Sequence, residues 1–140
     1  MKSLRQSSEG SRSSYDLTVP PVVRFGHGRI AEVGHIAAIL GKRIWLVVGK
    51  HSFAACGGRK SLLDGFHQNG LSFDEIAHSC GEPTVQQIAT AICNMPVDQQ
   101  DVVVVAVGGG ATIDFGKALS ALATNIKPKS EETAEEMILD

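Results

Sequence analysis

Val102-Val103-Val104-Val105-Ala106-Val107 is an unbroken apolar run that ends directly on Gly108-Gly109-Gly110. Side chains branched at Cβ are restricted at χ1 and favour extended backbone, so the run reads as a strand. It lacks polar alternation, which predicts a strand covered on both faces, as in a parallel sheet. It is also far shorter than the roughly 20 residues that a membrane span needs. Glycines at the carboxyl end of such a strand clear side chains from the place where open α/β sheets bind ligands. Any fold for this chain has to be built around that strand and its glycine turn.

The remaining pattern supplies neighbours for it. Ile44-Trp45-Leu46-Val47-Val48 is a second continuous apolar run, bounded by Lys42-Arg43 and Gly49, and predicts a strand buried on both faces. Leu71 to Ala77 is a weaker strand candidate, and Val22 to Phe25 a short one ending at Gly26 and Gly28. Ile30, Val33, Ile36, Ala37 and Leu40 fall on one face of a helix over Arg29 to Leu40, stopped by Gly41. A helix over Arg59 to Gln68 turns Leu62, Leu63 and Phe66 inward and ends at Asn69-Gly70. Thr84 and Gln87 have the spacing of a capping box, opening a helix with Val85, Ile88 and Ile92 on one side. A further helix is expected from about Thr112 to Ala123. Strands alternating with helices predict an α/β fold: a Rossmann-like parallel sheet with helices on both faces.

The ends read differently from the middle. Residues 1–19 begin with a serine-rich stretch poor in apolar side chains, expected to be a mobile tail. Residues 20–126 carry the α/β pattern. Residues 127–140 read as the start of a truncated helix, with Ser130 as N-cap followed by glutamates favourable at a helix N-terminus. That helix stops as Met137, Ile138 and Leu139 begin its apolar face, which predicts an incomplete domain from a longer protein and three side chains without partners.

Charge and cysteines narrow the function classes. Thirteen basic and 15 acidic side chains leave a formal charge of -2, no basic excess for nucleic acid or an anionic membrane surface. The N-terminus lacks the apolar core of a secretory signal. Cys56, Cys80 and Cys93 are never spaced C-x-x-C, so they read as reduced thiols, and a cytoplasmic protein is expected.

Two glycine motifs compete for a ligand. Gly26-His27-Gly28-Arg29-Ile30-Ala31 fits G-x-G-x-x-A, a dinucleotide fingerprint. No acid follows about 20 residues on, where Gly49 and Lys50 stand, and the alternative is a tight turn needing glycine dihedrals. Gly108-Gly109-Gly110 leads into a helix N-terminus, which offers unpaired N–H groups and about half a positive charge; the alternative is a flexible turn. Asp114 and Lys117 are spaced to pair on the helix surface, worth roughly 0.2–0.5 kcal/mol. No histidine pair has i, i+4 spacing, no cysteine cluster exists, and G-x-S-x-G is missing. No catalytic residue and no metal ligand are therefore assigned to this sequence.

The order of these features resembles the N-terminal, cofactor-binding domain of the iron-containing alcohol dehydrogenase family, whose relatives include glycerol dehydrogenase and dehydroquinate synthase. The resemblance covers Pro20 to Asn125. It rests on Val23-x-Phe25-Gly26-x-Gly28, Ile44 to Gly49, Glu82-Pro83-Thr84, Asp101 followed by Val107-Gly108-Gly109-Gly110, and Ile113-Asp114-x-x-Lys117-Ala118. Where the family pattern has serine after its glycines, this chain has Ala111, with Thr112 offering a hydroxyl one position later. The resemblance implies a cofactor site at Gly49, Gly108, Gly109, Gly110, Ala111, Thr112, Ile113 and Asp114, with residues from Gly109 to Ile113 along the pyrophosphate of NAD(P).

It also implies Fe²⁺ or Zn²⁺ in the complete protein, held by an aspartate and three histidines of a second, all-helical domain outside this chain. Hydride would pass between a small alcohol or aldehyde and nicotinamide, in a homo-oligomer, and this chain alone would be inactive. NADP is favoured, because Gly49 and Lys50 replace the acid that NAD-preferring members commonly place after the matching strand. A polyol dehydrogenase, a dehydroquinate-synthase-like enzyme and a non-catalytic nucleotide-binding module remain the alternatives.

Overall fold

A computed structural model describes residues 22–50, 53, 57–79, 81–95, 101–122 and 138. Its centre is strand β1 (Arg43–Gly49), flanked by β2 (Ser72–Ser79) on one side and β3 (Val102–Val107) on the other, all parallel. Among the described residues, four α-helices connect and cover them: α1 (Val33–Leu40), α2 (Gly58–Gln68), α3 (Val85–Cys93) and α4 (Gly110–Leu122). The expected α/β fold is present, with helices on both faces.

The apolar run of β1 explains both layers at once. Successive strand residues point to opposite faces. Ile44, Leu46 and Val48 therefore enter a core with Ala37 of α1 and Leu62 and Phe66 of α2. Trp45 and Val47 enter the opposite core with Ile88 and Ile92 of α3 and Phe115 and Leu119 of α4. Each such aliphatic side chain, fully buried, is worth about 1.5–3 kcal/mol relative to exposure. β3 divides likewise, Val103, Val105 and Val107 facing the first core and Val102, Val104 and Ala106 the second. It is half-buried along its whole length, more open than the sequence predicts, because it lies at an edge of the described sheet.

Glycines set the closest approaches. A Cβ on Gly34 of α1 would fall on the backbone carbonyl of Gly65 of α2, so these helices touch main chain to main chain. A Cβ on Gly116 of α4 would stand 2.6 Å from the Cβ of Ala106, pressing α4 onto β3. The capping box forms as the spacing predicts: the Gln87 N–H donates to Thr84 Oγ1 at 3.2 Å, and the Thr84 N–H donates to Gln87 Oε1 at 3.0 Å.

Several expectations need correction. Val22 to Phe25 is not a strand; Val22, Val23 and Phe25 are 65, 83 and 96% exposed, and no strand among the described residues lies beside them to share a ladder. The first predicted helix divides into a 3-10 turn (Arg29–Glu32) and α1, and Leu40 of its predicted inner face is exposed. Ile30, Val33 and Ala37 of that face do pack against the core, and Gly34 is buried beside Ala37. α4 begins at Gly110, two residues before the expected Thr112, while Ala123 lies outside the described residues. Ile138, expected to lack partners, packs against the α3–α4 core. Met137, Leu139, the tail at residues 1–19 and nearly all of 127–140 lie outside the described residues. No helix among those described is long and apolar enough to cross a membrane.

Candidate functional site

The connection from β1 to β2 runs over one face through α2, and the connection from β2 to β3 returns over the other through α3. The chain therefore reverses its winding between β1 and β3. Ligands of open α/β sheets lodge in the crevice outside the carboxyl ends of two such strands. Val48 pairs with Val107 in the parallel register, so Gly49 and Gly108 are next along their strands at that edge. The fold thus brings Gly49 to the same edge as the segment Gly108 to Asp114.

The segment itself is a strand-to-helix turn. Ile113 N–H donates to Gly109 C=O at 3.1 Å, closing the first turn of α4. The N–H groups of Gly110, Ala111 and Thr112 then have no carbonyl four residues back within the helix, and they carry the positive end of its dipole. Each glycine has its own reason for being there. A Cβ on Gly108 would collide with Thr112, whereas a Cβ on Gly109 or Gly110 would meet nothing within 4 Å. Neither of the latter two has a left-handed φ. Among the described residues, neither a protein contact nor a left-handed backbone accounts for their lack of side chains, and the main chain there stays open to close approach.

The other predicted positions fall around this turn. Thr112 is buried and Ala111 half-buried, while Ile113 and Asp114 are exposed. Asp114 Oδ1 accepts from Lys117 Nζ at 2.9 Å, the surface pair that the spacing predicts. Ile113 and Lys117 also border a shallow groove of about 420 Å³ with Val104, Ala106 and Gly116. The competing motif has a conformational explanation: Gly26 and Gly28 have φ of 149° and 77°, which only glycine adopts freely. No group of three or more His, Cys, Asp or Glu that could hold a metal ion occurs among the described residues.

One cluster beside this edge has no sequence signature. Arg59, in the first turn of α2, donates from Nη1 and Nη2 to the two oxygens of Glu75 on β2 at 3.2 and 2.6 Å. His78 Nε2 lies 3.4 Å from Glu75 Oε1. The bond from Arg59 holds the Glu75 carboxyl below its ordinary range, against the opposing effect of burial, and Glu75 raises Arg59 in turn. The register of β2 against β1 shifts between Leu46 and Val47, whose partners are Glu75 and Ala77, so Ile76 is an extra residue. Residues three apart on a regular strand face opposite ways; the extra residue puts Glu75 and His78 on the same face.

The model of the family described as iron-containing alcohol dehydrogenase matches residues 20–138. Over 122 residues the chain is 26% identical to Probable alcohol dehydrogenase EutG of Escherichia coli, covering 87% of this chain and 31% of that protein. Over 108 residues it is 28% identical to NADH-dependent butanol dehydrogenase A of Clostridium acetobutylicum, covering 77% of this chain and 28% of that one. Among solved structures it superposes on an iron-containing alcohol dehydrogenase of Thermotoga maritima with a TM-score of 0.71 and 28% identity, over 85% of this chain and 33% of the other. An NADH-dependent butanol dehydrogenase A of the same organism gives a TM-score of 0.69 at 20% identity, over 82% of this chain and 29% of the other, a likeness of fold. The chain spans under a third of the length of the two curated relatives it matches.

Proposed function

The chain belongs to the iron-containing alcohol dehydrogenase family, and from that membership we propose that it supplies the dinucleotide-binding part of an alcohol dehydrogenase, seating NAD(P) across the carboxyl ends of β1 and β3. The observation that carries this reading is the pair Gly109 and Gly110, whose missing side chains open onto free space at a helix N-terminus. Backbone N–H groups there fit a pyrophosphate, which needs donors and positive potential and would be blocked by a Cβ. The bound nicotinamide accepts or gives the hydride exchanged with an alcohol or aldehyde.

The residues of this chain bind and orient. Gly110, Ala111 and Thr112 direct their N–H groups at the pyrophosphate, and Gly108 leaves room for Thr112 to stay buried beneath it. Gly49 lets the adenosine side of the cofactor cross the end of β1 without a side chain in its way. No group of the described residues would hold a metal; iron or zinc held elsewhere in the complete enzyme would polarise the substrate oxygen. The same holds for the substrate contacts, so the small alcohol or aldehyde is chosen elsewhere in the complete enzyme.

The test is equilibrium binding. Gly109→Val in the full chain is expected to abolish binding of NADH and NADPH while far-UV circular dichroism keeps its helical signal. Unchanged binding by the variant would move the cofactor away from this turn, and the proposal would fall.

A further inference from the structure

We infer that Arg59, braced by Glu75 and joined by His78, forms a subsite for the 2′-phosphate of a phosphorylated dinucleotide, so that this chain prefers NADP(H). The inference rests on the dinucleotide reading above and assigns the chemistry that lies beyond Gly49 along the same sheet edge.

Position comes first. Parallel connectivity starts α2 on the carboxyl side of β1, and Arg59 in its first turn reaches Glu75, which lies opposite Leu46, three residues before Gly49. The connection is shared: the Arg59 guanidinium lies 6.0 Å from the ring centroid of Phe53, four residues after Gly49. His78 pairs with Val48 and Ser79 with Gly49, which puts His78 at the same level on the neighbouring strand. Adjacent strands are about 4.8 Å apart, so β2 lies about 10 Å from β3, a distance an adenosine can bridge from the glycine turn.

Chemistry comes second. A guanidinium has five N–H donors, and Glu75 takes one from each terminal nitrogen. The remaining donors keep the planar fork that suits a phosphate. Glu75 is the more enclosed partner, 19% exposed against 40% for Arg59, so the carboxylate braces from within and the cation faces outward. His78 is 60% exposed and adds a second donor, cationic when protonated, to the same face. Lys50, exposed just after Gly49, adds another cation where NAD-binding folds place an acid. A simple staple between α2 and β2 would need only Arg59 and Glu75. The extra Ile76 that also turns His78 to that face is the kind of local irregularity that re-aims side chains at sites.

Calorimetric titration of the full chain with adenosine 2′,5′-bisphosphate and with 5′-AMP, at one low salt concentration and pH 6, tests this. The wild type is expected to bind the bisphosphate at least about tenfold tighter, about 1.4 kcal/mol. Arg59→Ala is expected to erase that advantage while leaving 5′-AMP affinity unchanged, and His78→Gln to reduce it. Equal affinity of the wild type for both probes, or equal loss of both in Arg59→Ala, would overturn the subsite and leave the dinucleotide reading standing. Failure of the wild type to bind either probe would overturn both. Should Arg59→Ala not fold, His78→Gln decides: an unchanged advantage refutes the subsite.

Discussion

Thr112 occupies the space that a side chain on Gly108 would need: a Cβ built there would stand 2.5 Å from the Thr112 hydroxyl and 2.7 Å from its Cβ. Thr112 is 4% exposed, so it has little room to move aside. Gly108 is thus required by the protein itself, whereas Gly109 and Gly110 border open space.

Gly108→Ala is accordingly expected to lower stability by about 1–3 kcal/mol through overpacking. Gly110→Ala, in the first turn of α4 with a permitted backbone, is expected to raise it by about 0.4–1 kcal/mol by restricting the unfolded chain. Denaturation followed by the fluorescence of Trp45, the single tryptophan and 2% exposed, measures both. A stabilised Gly108→Ala would show that Thr112 can repack.

Gly34→Ala should separate α1 from α2, because the new methyl group would fall on the Gly65 main chain, which has no flexible end to yield. The expected loss is about 1–3 kcal/mol. A chemical melt with an unchanged midpoint would refute this account of the helix contact.

Gly49→Asp places an acid at the end of β1, where a carboxylate bonds a ribose 2′-hydroxyl and repels a 2′-phosphate. The ratio of NADP to NAD dissociation constants is expected to shift toward NAD by about tenfold or more. An unmoved ratio, measured at fixed low salt, would show that the cofactor does not pass this residue.

Glu75 gives the fold a dependence on acid. Its carboxyl is held below the ordinary 4.5, chiefly by the bond from Arg59, so the native state binds this proton less readily than the unfolded chain does. The resulting stabilisation is full above pH 4.5 and is lost as pH falls through the lower native value. The stability gap between wild type and Glu75→Gln should therefore narrow below pH 4.5, as read from urea melts across the acid range. A gap that stays constant with pH would mean that the Arg59 bond does not set this titration.

Local pattern determined much of this protein. The runs Ile44 to Val48 and Val102 to Val107, the Thr84–Gln87 box and the glycine turn are each visible within a few residues, because χ1 restriction, capping geometry and strand alternation act at short range. Alternating strands and helices also put Gly49 and Gly108 to Asp114 on one edge of the sheet, but that they meet there depends on the strand order β2-β1-β3.

Only tertiary structure decided the rest. Whether Val22 to Phe25 is a strand depends on a neighbour to pair with, and its own side chains carry no such information. The distinct roles of the three glycines depend on where Thr112 packs four residues later. The Arg59–Glu75–His78 cluster depends on one extra residue in the register between β1 and β2. Register is a relation between strands far apart in the chain, and a single-residue shift reverses which side chains share a face, so no local reading of β2 could have placed Glu75 beside His78.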